Sequence, residues 1–181
     1  KQRELAALLA PLGIEVILQT SLGISSAEET GTTFEANALL KARHAARESR
    51  LPALADDSGL EVDALEGRPG VWSARYAGPD ATDEANNAKL LVELAGVPDE
   101  RRSARYRCVI AFVREADDAA PLVAEGAWEG RIGQAPQGTG GFGYDPLFWP
   151  QGQSVTAAQM DAAAKNAVSH RGLALAQLLR K

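Results

Sequence analysis

Nine consecutive residues, Gly138-Thr139-Gly140-Gly141-Phe142-Gly143-Tyr144-Asp145-Pro146, hold four glycines, two aromatic rings and one carboxylate. Such a run cannot continue a helix or strand. Glycine permits positive φ and lets another molecule approach the backbone closely. A ring held there beside an acid suits a flat polar ligand such as a nucleobase, although a glycine-rich turn packing its ring on the core has the same composition. A second group is Asp56-Asp57-Ser58-Gly59, which directly follows the short apolar run Leu51 to Ala55. Adjacent acids at that point are either turn formers or carboxylates for magnesium, which takes one or two acids plus waters and substrate phosphates. Glu28 and Glu29 precede Thr30-Gly31 in a further acidic turn, a candidate for another ligand.

Cations stand at element ends. Lys1 opens the chain at a helix start, where a lysine makes sense if it meets an anion bound at the same N-terminus. Lys41 sits in mid-helix, and Lys165 is spaced to pair with Asp161 one turn earlier. Ser169-His170-Arg171-Gly172 places a histidine and an arginine at the start of the last helix. The rigid donor fork of arginine matches a purine O6 and its neighbours. His44 reads as structural and Cys108 as a small core residue. Neither a nucleophilic triad nor a zinc spacing is present. Acids, lysines, a stacking ring and an arginine fork together point to a magnesium–nucleotide complex.

The elements that must position these groups follow from periodicity. Leu5, Leu8, Leu9 and Leu12 predict a helix closed by Gly13. Alternation from Ile14 to Leu18 predicts a short strand. Thr32 and Glu35 have capping-box spacing for a helix running to about Arg50. Leu51 to Ala55 reads as a buried strand that delivers the Asp56–Gly59 loop. Thr82 to Ala95 is a helix. Tyr106 to Phe112 and Leu122 to Trp128 form a hairpin. Two helices, Thr156 to about Ala167 and Arg171 to Lys181, close the chain, with Ser169 as N-cap of the second. Interleaved strands and helices predict an α/β class with a mixed β-sheet flanked by helices.

At 181 residues the chain is expected to be one domain, 1–181, in two lobes. A net charge of −5 offers no basic footprint for a nucleic-acid polymer. No apolar run is long enough to span a bilayer, and a single cysteine fits a cytoplasmic location.

The chain resembles the inosine triphosphate pyrophosphatases, house-cleaning enzymes that hydrolyse inosine and xanthosine triphosphates. The resemblance rests on Ser26-Ala27-Glu28-Glu29-Thr30-Gly31, Leu40-Lys41-Ala42-Arg43-His44-Ala45, Ala55-Asp56-Asp57-Ser58-Gly59-Leu60, Pro69-Gly70-Val71-Trp72-Ser73-Ala74-Arg75-Tyr76, Gly138 to Pro146, and Ser169-His170-Arg171-Gly172. It implies two lobes with a central substrate cleft, a homodimer, and Mg²⁺-dependent cleavage between the α- and β-phosphates. It further implies Asp57 as catalytic base and metal-linked acid, with Glu29 as a second metal-linked acid. Lys1 and Lys41 would hold the triphosphate, with Ser58 nearby. Phe142 would stack on the base within the Phe142-Gly143-Tyr144-Asp145 loop, and Lys165, His170 and Arg171 would line the base pocket. Two features depart from the family pattern. The strand and Thr-Gly-Asn turn that precede the lysine matching Lys1 are not in this sequence, and are expected upstream in the full protein. Ala36 stands where many members have Glu before the asparagine matching Asn37, and Glu35, one helical step away, points about 100° elsewhere. Two alternatives keep the pocket but change the activity: a non-catalytic nucleotide sensor, and a pyrophosphatase for pyrimidine triphosphates.

Overall fold

The computed structural model describes Leu9, Ala10 and residues 13–181. Among the described residues, four helices and four strands follow in the order α1 (Phe34–Ser49), β1 (Ala53–Val62), α2 (Asp83–Glu93), β2 (Ser103–Val113), β3 (Leu122–Ile132), β4 (Phe148–Pro150), α3 (Ala162–Val168) and α4 (His170–Leu178), with short 3-10 turns between. The strands form one sheet in the order β1-β2-β3-β4, and β4 runs antiparallel to β3 with Ile132 opposite Phe148. The α/β class and helix-flanked sheet expected from the sequence are present. The chain divides into two compact units. The first comprises residues 1–57, 108–126 and 171–181, and the second residues 58–107 and 127–170.

In the first unit α1 buries Phe34, Ala38, Ala42 and Ala46, one residue per turn. Small alanines at this spacing let the helix axis come close to what it covers. Thr33, in extended backbone, caps it by accepting the Ala36 N–H at 3.1 Å. The expected capping residue, Thr32, lies one place too early. Glu35 is left exposed in the first turn. The core of this unit joins Cys108 and Ile110 of β2 and Ala124 of β3 to Ala174, Leu175 and Leu178 of α4. Their i, i+1, i+4 spacing is the apolar stripe of that helix.

In the second unit Leu60 and Val62 of β1, Ala104 and Tyr106 of β2, and Trp128 and Ile132 of β3 pack with Leu90 and Leu94. Tyr106 meets Phe148 edge-on, with ring centroids 4.8 Å apart. Arg102 is buried and donates to three backbone carbonyls: Leu94, Val97 and Gly133, at 2.8–3.0 Å. It satisfies the orphan oxygens where α2 ends.

Several expectations change. Ile14 to Leu18 is not a strand: no ladder reaches it, and its apolar residues lie exposed. Alternation alone does not make a strand without a neighbour to bond. Asp56-Asp57-Ser58-Gly59 is not a loop after a strand but the middle of β1. The apolar alternation resumes at Leu60 and Val62, and the acids are tolerated because each finds a partner. Thr156 to Ala167 is not one helix. Thr156 and Gln159 form a capping box around a 3-10 turn at Ala157–Gln159, and Asp161 then restarts the chain as N-cap of α3 by accepting from Ala163 and Ala164. A side-chain oxygen that takes the first amides of a new helix prevents the old one from running through. Ser169 has the extended backbone of an N-cap between α3 and α4. The predicted first helix lies largely outside the described residues, as does Lys1. Among the described residues no helix is long and apolar enough to cross a membrane.

Candidate functional site

Successive residues of a strand face opposite sides of the sheet. Asp57 on β1 turns towards α1, and Asp56 turns to the other side, where its Oδ2 accepts from Arg171 Nε at 3.0 Å. On α1, Asn37 and Lys41 are one turn apart and reach the same carboxylate. Asn37 Nδ2 donates to Asp57 Oδ2 at 3.2 Å, and Lys41 Nζ donates to Asp57 Oδ1 at 2.8 Å. The ammonium also donates to Glu29 Oε1 at 2.9 Å. Glu29, Lys41 and Asp57 therefore form one cluster in the first unit. Asn37 Oδ1 accepts the Gly31 N–H at 2.8 Å, which ties the segment carrying Glu29 to α1. A side chain at Gly31 would collide with that same oxygen. Glycine here serves a close approach.

The electrostatics of the cluster oppose one another. Burial pushes the Asp57 carboxyl above its ordinary value and the charge of Glu29 adds to this, against the lowering by Lys41 and Asn37. Burial would lower the Lys41 ammonium, but its bonds to Asp57 and Glu29 outweigh that and raise it. A carboxyl that stays raised with a lysine already beside it marks a place where further positive charge is favoured. Among the described residues, no group of three or more His, Cys, Asp or Glu side chains is gathered for a metal.

The second unit carries the other constellation. Asp145, almost fully buried, accepts the Phe142 N–H at 2.9 Å and the ammonium of Lys165. The hydroxyl of Tyr106 also bonds this carboxylate, and burial followed by the Asp145 charge pushes that hydroxyl well above its ordinary range. Lys165 lies over the Phe142 ring, 4.8 Å from its centre. The expected Lys165–Asp161 pair does not form, because Asp161 caps α3 while Lys165 is drawn inward. His170 is buried with its ring parallel to Tyr106, 4.8 Å between centroids. Phe142 sits between two glycines of positive φ, Gly141 at 72° and Gly143 at 61°. Tyr144 points inward and donates to the Ser73 carbonyl at 2.9 Å. Burial, with the nearby Tyr76 and Asp83, pushes its hydroxyl up. A cavity of about 350 Å³ borders this loop, lined among others by Asp83, Asn87, Leu91, Gly141 and Phe142. Ser58 follows Asp57 on β1, half-buried in the second unit.

The structure thus brings Glu29, Lys41 and Asp57 together in one unit, and Phe142, Gly143, Tyr144, Asp145, Lys165 and His170 in the other. Arg171 belongs to the first unit, paired with Asp56. Sequence reasoning passed over Asn37, Tyr106, Asp83 and Asn87. Asn37 carried a readable signal, an amide four residues before Lys41 on the apolar face of a helix. Tyr106 carried none, because its parity matched the core.

The molecule is an α/β protein with an acid–lysine cluster joining β1, α1 and the Glu29 segment in one unit, and an aromatic ring on a glycine loop beneath a lysine of α3 in the other, groups suited to polyanions and to flat rings respectively. A model of the Ham1 family matches residues 1–181. The chain is 55% identical over 179 residues to the dITP/XTP pyrophosphatase of Escherichia coli, covering 99% of this chain and 91% of that one. It is 58% identical over 178 residues to the dITP/XTP pyrophosphatase of Methylococcus capsulatus, covering 98% and 89%. A solved HAM1 protein from Coxiella burnetii superposes with a TM-score of 0.91 at 50% identity, over 97% of this chain and 89% of that one. A nucleoside-triphosphatase / dITP/XTP pyrophosphatase from Mycobacterium abscessus does so with 0.78 at 45% identity, over 98% and 91%. The chain belongs to the Ham1 family.

Proposed function

We infer that this chain is a nucleoside-triphosphate pyrophosphatase. It hydrolyses inosine and xanthosine triphosphates, ribo- or deoxy-, to the monophosphate and pyrophosphate. The observation that carries this is identity of 55–58% across nearly the whole chain with dITP/XTP pyrophosphatases. The Glu29–Lys41–Asp57 cluster supports the chemistry. A triphosphate is strongly anionic and water is a poor nucleophile, so catalysis needs positive charge on the phosphate oxygens and a base for the water. Lys41 supplies the first, with Lys1 as a further phosphate ligand and Ser58 as a hydroxyl donor. Asp57 supplies the second: its raised carboxyl is a better proton acceptor than an ordinary aspartate.

The donor set also fits Mg²⁺. Glu29 and Asp57 offer oxygen ligands only, they are close enough to share one ammonium, and the surroundings favour added positive charge. The scarcity of further acids suits a cation that completes its shell with water and phosphate. When bound, Mg²⁺ would neutralise charge on the polyphosphate.

For the base, Phe142 provides the stacking face, and Lys165, His170 and Arg171 provide donors. Hypoxanthine and xanthine carry an O6 acceptor and an N1–H donor. Adenine carries the reverse at position 6 and no N1 proton. Buried donors that O6 satisfies are left unsatisfied by adenine, which is a strong basis for rejection. Tyr144 acts as the anchor of the loop. We take both units as one functional domain that works as a homodimer on the cytoplasmic nucleotide pool.

The experiment is incubation with inosine triphosphate and Mg²⁺. Equal amounts of inosine monophosphate and pyrophosphate are expected, adenosine triphosphate stays intact, and chelation stops the reaction. Release of orthophosphate alone would overturn the assignment of the bond.

A further inference from the structure

Asp83 and Asn87 take no part in the reading above, yet they grip the loop that carries Phe142. They are four residues apart on α2 and so share one helix face. Asp83 Oδ2 accepts the Gly143 N–H at 2.6 Å, and Asn87 Nδ2 donates to the Gly143 carbonyl at 2.8 Å. Both polar groups of one glycine are thus held by two side chains of one helix. Asn87 is in turn oriented by its bond to the Asp83 carbonyl, 2.8 Å.

The arrangement answers a mechanical problem. Phe142 is flanked by glycines on both sides, and glycine is the residue whose peptide rotates most freely. Gly143 has positive φ with no crowding beside it, the nearest atom to a Cβ there being Tyr106 Oη at 3.9 Å. Space alone therefore does not fix its peptide. On the N-terminal side Phe142 is held by Asp145, which accepts its N–H. On the C-terminal side the restraint is α2. Without it the ring would sample several orientations, and a stacked ligand would have to select one, at an entropic cost.

We propose that Asp83 and Asn87 are positioning residues for base recognition, a clamp from α2 that presets the Phe142 platform through Gly143. The proposal rests on the reading of Phe142 as the base-stacking residue. The clamp acts on the base and not on the phosphates, so its loss separates the two halves of the ligand.

The test compares N87A and D83A with E84A. Glu84 is an acid of the same first turn and makes no bond to the loop. Hydrogen exchange at the Gly143 amide is measured in the ligand-free protein. Inhibition by inosine monophosphate is measured beside inhibition by inorganic tripolyphosphate, which has no base. In D83A the Gly143 amide should exchange about tenfold faster, and in both D83A and N87A inosine monophosphate should bind about tenfold more weakly, the loss expected for one good hydrogen bond. Tripolyphosphate inhibition and kcat should stay within about twofold. E84A should match wild type throughout. Unchanged Gly143 exchange would overturn the clamp, as would equal weakening of both inhibitors. Failure of the wild type to bind inosine monophosphate would instead overturn the base-stacking reading, and the exchange measurement would still decide whether the clamp exists.

Discussion

Replacing Asp145 by asparagine probes the centre of the second constellation. Asparagine keeps the shape and one acceptor oxygen, so the Phe142 N–H retains a partner. Lys165 does not: its ammonium is buried and its carboxylate partner is gone. Stranding one member of a buried ion pair costs about 3–5 kcal/mol. In a chain of this size each kcal/mol shifts the melting temperature by about 2–4 °C, so D145N should melt about 6–20 °C below wild type. The companion variant D145N/K165M removes the orphan charge and fills its place with an apolar chain of similar length. It should recover most of the loss, with a coupling of about 2–3 kcal/mol in the double-mutant cycle. Thermal melting of the four proteins at neutral pH is the assay. Inhibition by inosine monophosphate should stay weak in the double variant, because stability is restored but the Lys165 donor is not. If D145N melts with the wild type, or if the single costs simply add, the pair is not the buried lock described here.

Asp57→Asn should lower kcat by about 10²–10⁴-fold without loss of the folded state by circular dichroism, as expected for loss of a general base. In the metal-free protein the Asp57 carboxyl should titrate above the range of an ordinary aspartate by carboxyl NMR, because burial raises it. Lysine at 41 lowers that carboxyl, so K41M should move the titration further up; a titration that stays in place would argue against Lys41 as its partner. Gly141→Ala should be more damaging than Gly143→Ala. Both demand positive φ, at about 1–2 kcal/mol, but only at Gly141 would the new methyl also overlap the Asp145 carboxylate. Melting temperatures of the two variants rank them. Arg102→Met should cost about 3 kcal/mol in urea denaturation, since the carbonyls of Leu94, Val97 and Gly133 all lose the bond from the buried guanidinium while the Glu29–Lys41–Asp57 cluster is untouched.

What the sequence determined by itself was the inventory and the class. The succession of helix and strand from α1 to β3, the helical pattern of α4 and the core position of Cys108 all follow from local rules: side-chain spacing and parity. Those rules act within a few residues, so they can be read along one chain. Asp57, Lys41, Phe142 and Lys165 could be singled out from residue type and motif for the same reason, although position along the chain left Lys41 and Lys165 equally readable as surface lysines. Tertiary structure decided which partner each one takes. Spacing offered Asp161 to Lys165, but the fold gives it Asp145, twenty residues away in sequence. A loop was expected around Asp56-Asp57, yet β1 continues through it, because α1 on one side and Arg171 on the other satisfy acids that no local partner could. The grip of Asp83 and Asn87 on Gly143 spans up to 60 residues and leaves no periodic trace. Charge pairing and hydrogen bonding across such separations depend on distance in space, and a linear pattern does not record that distance.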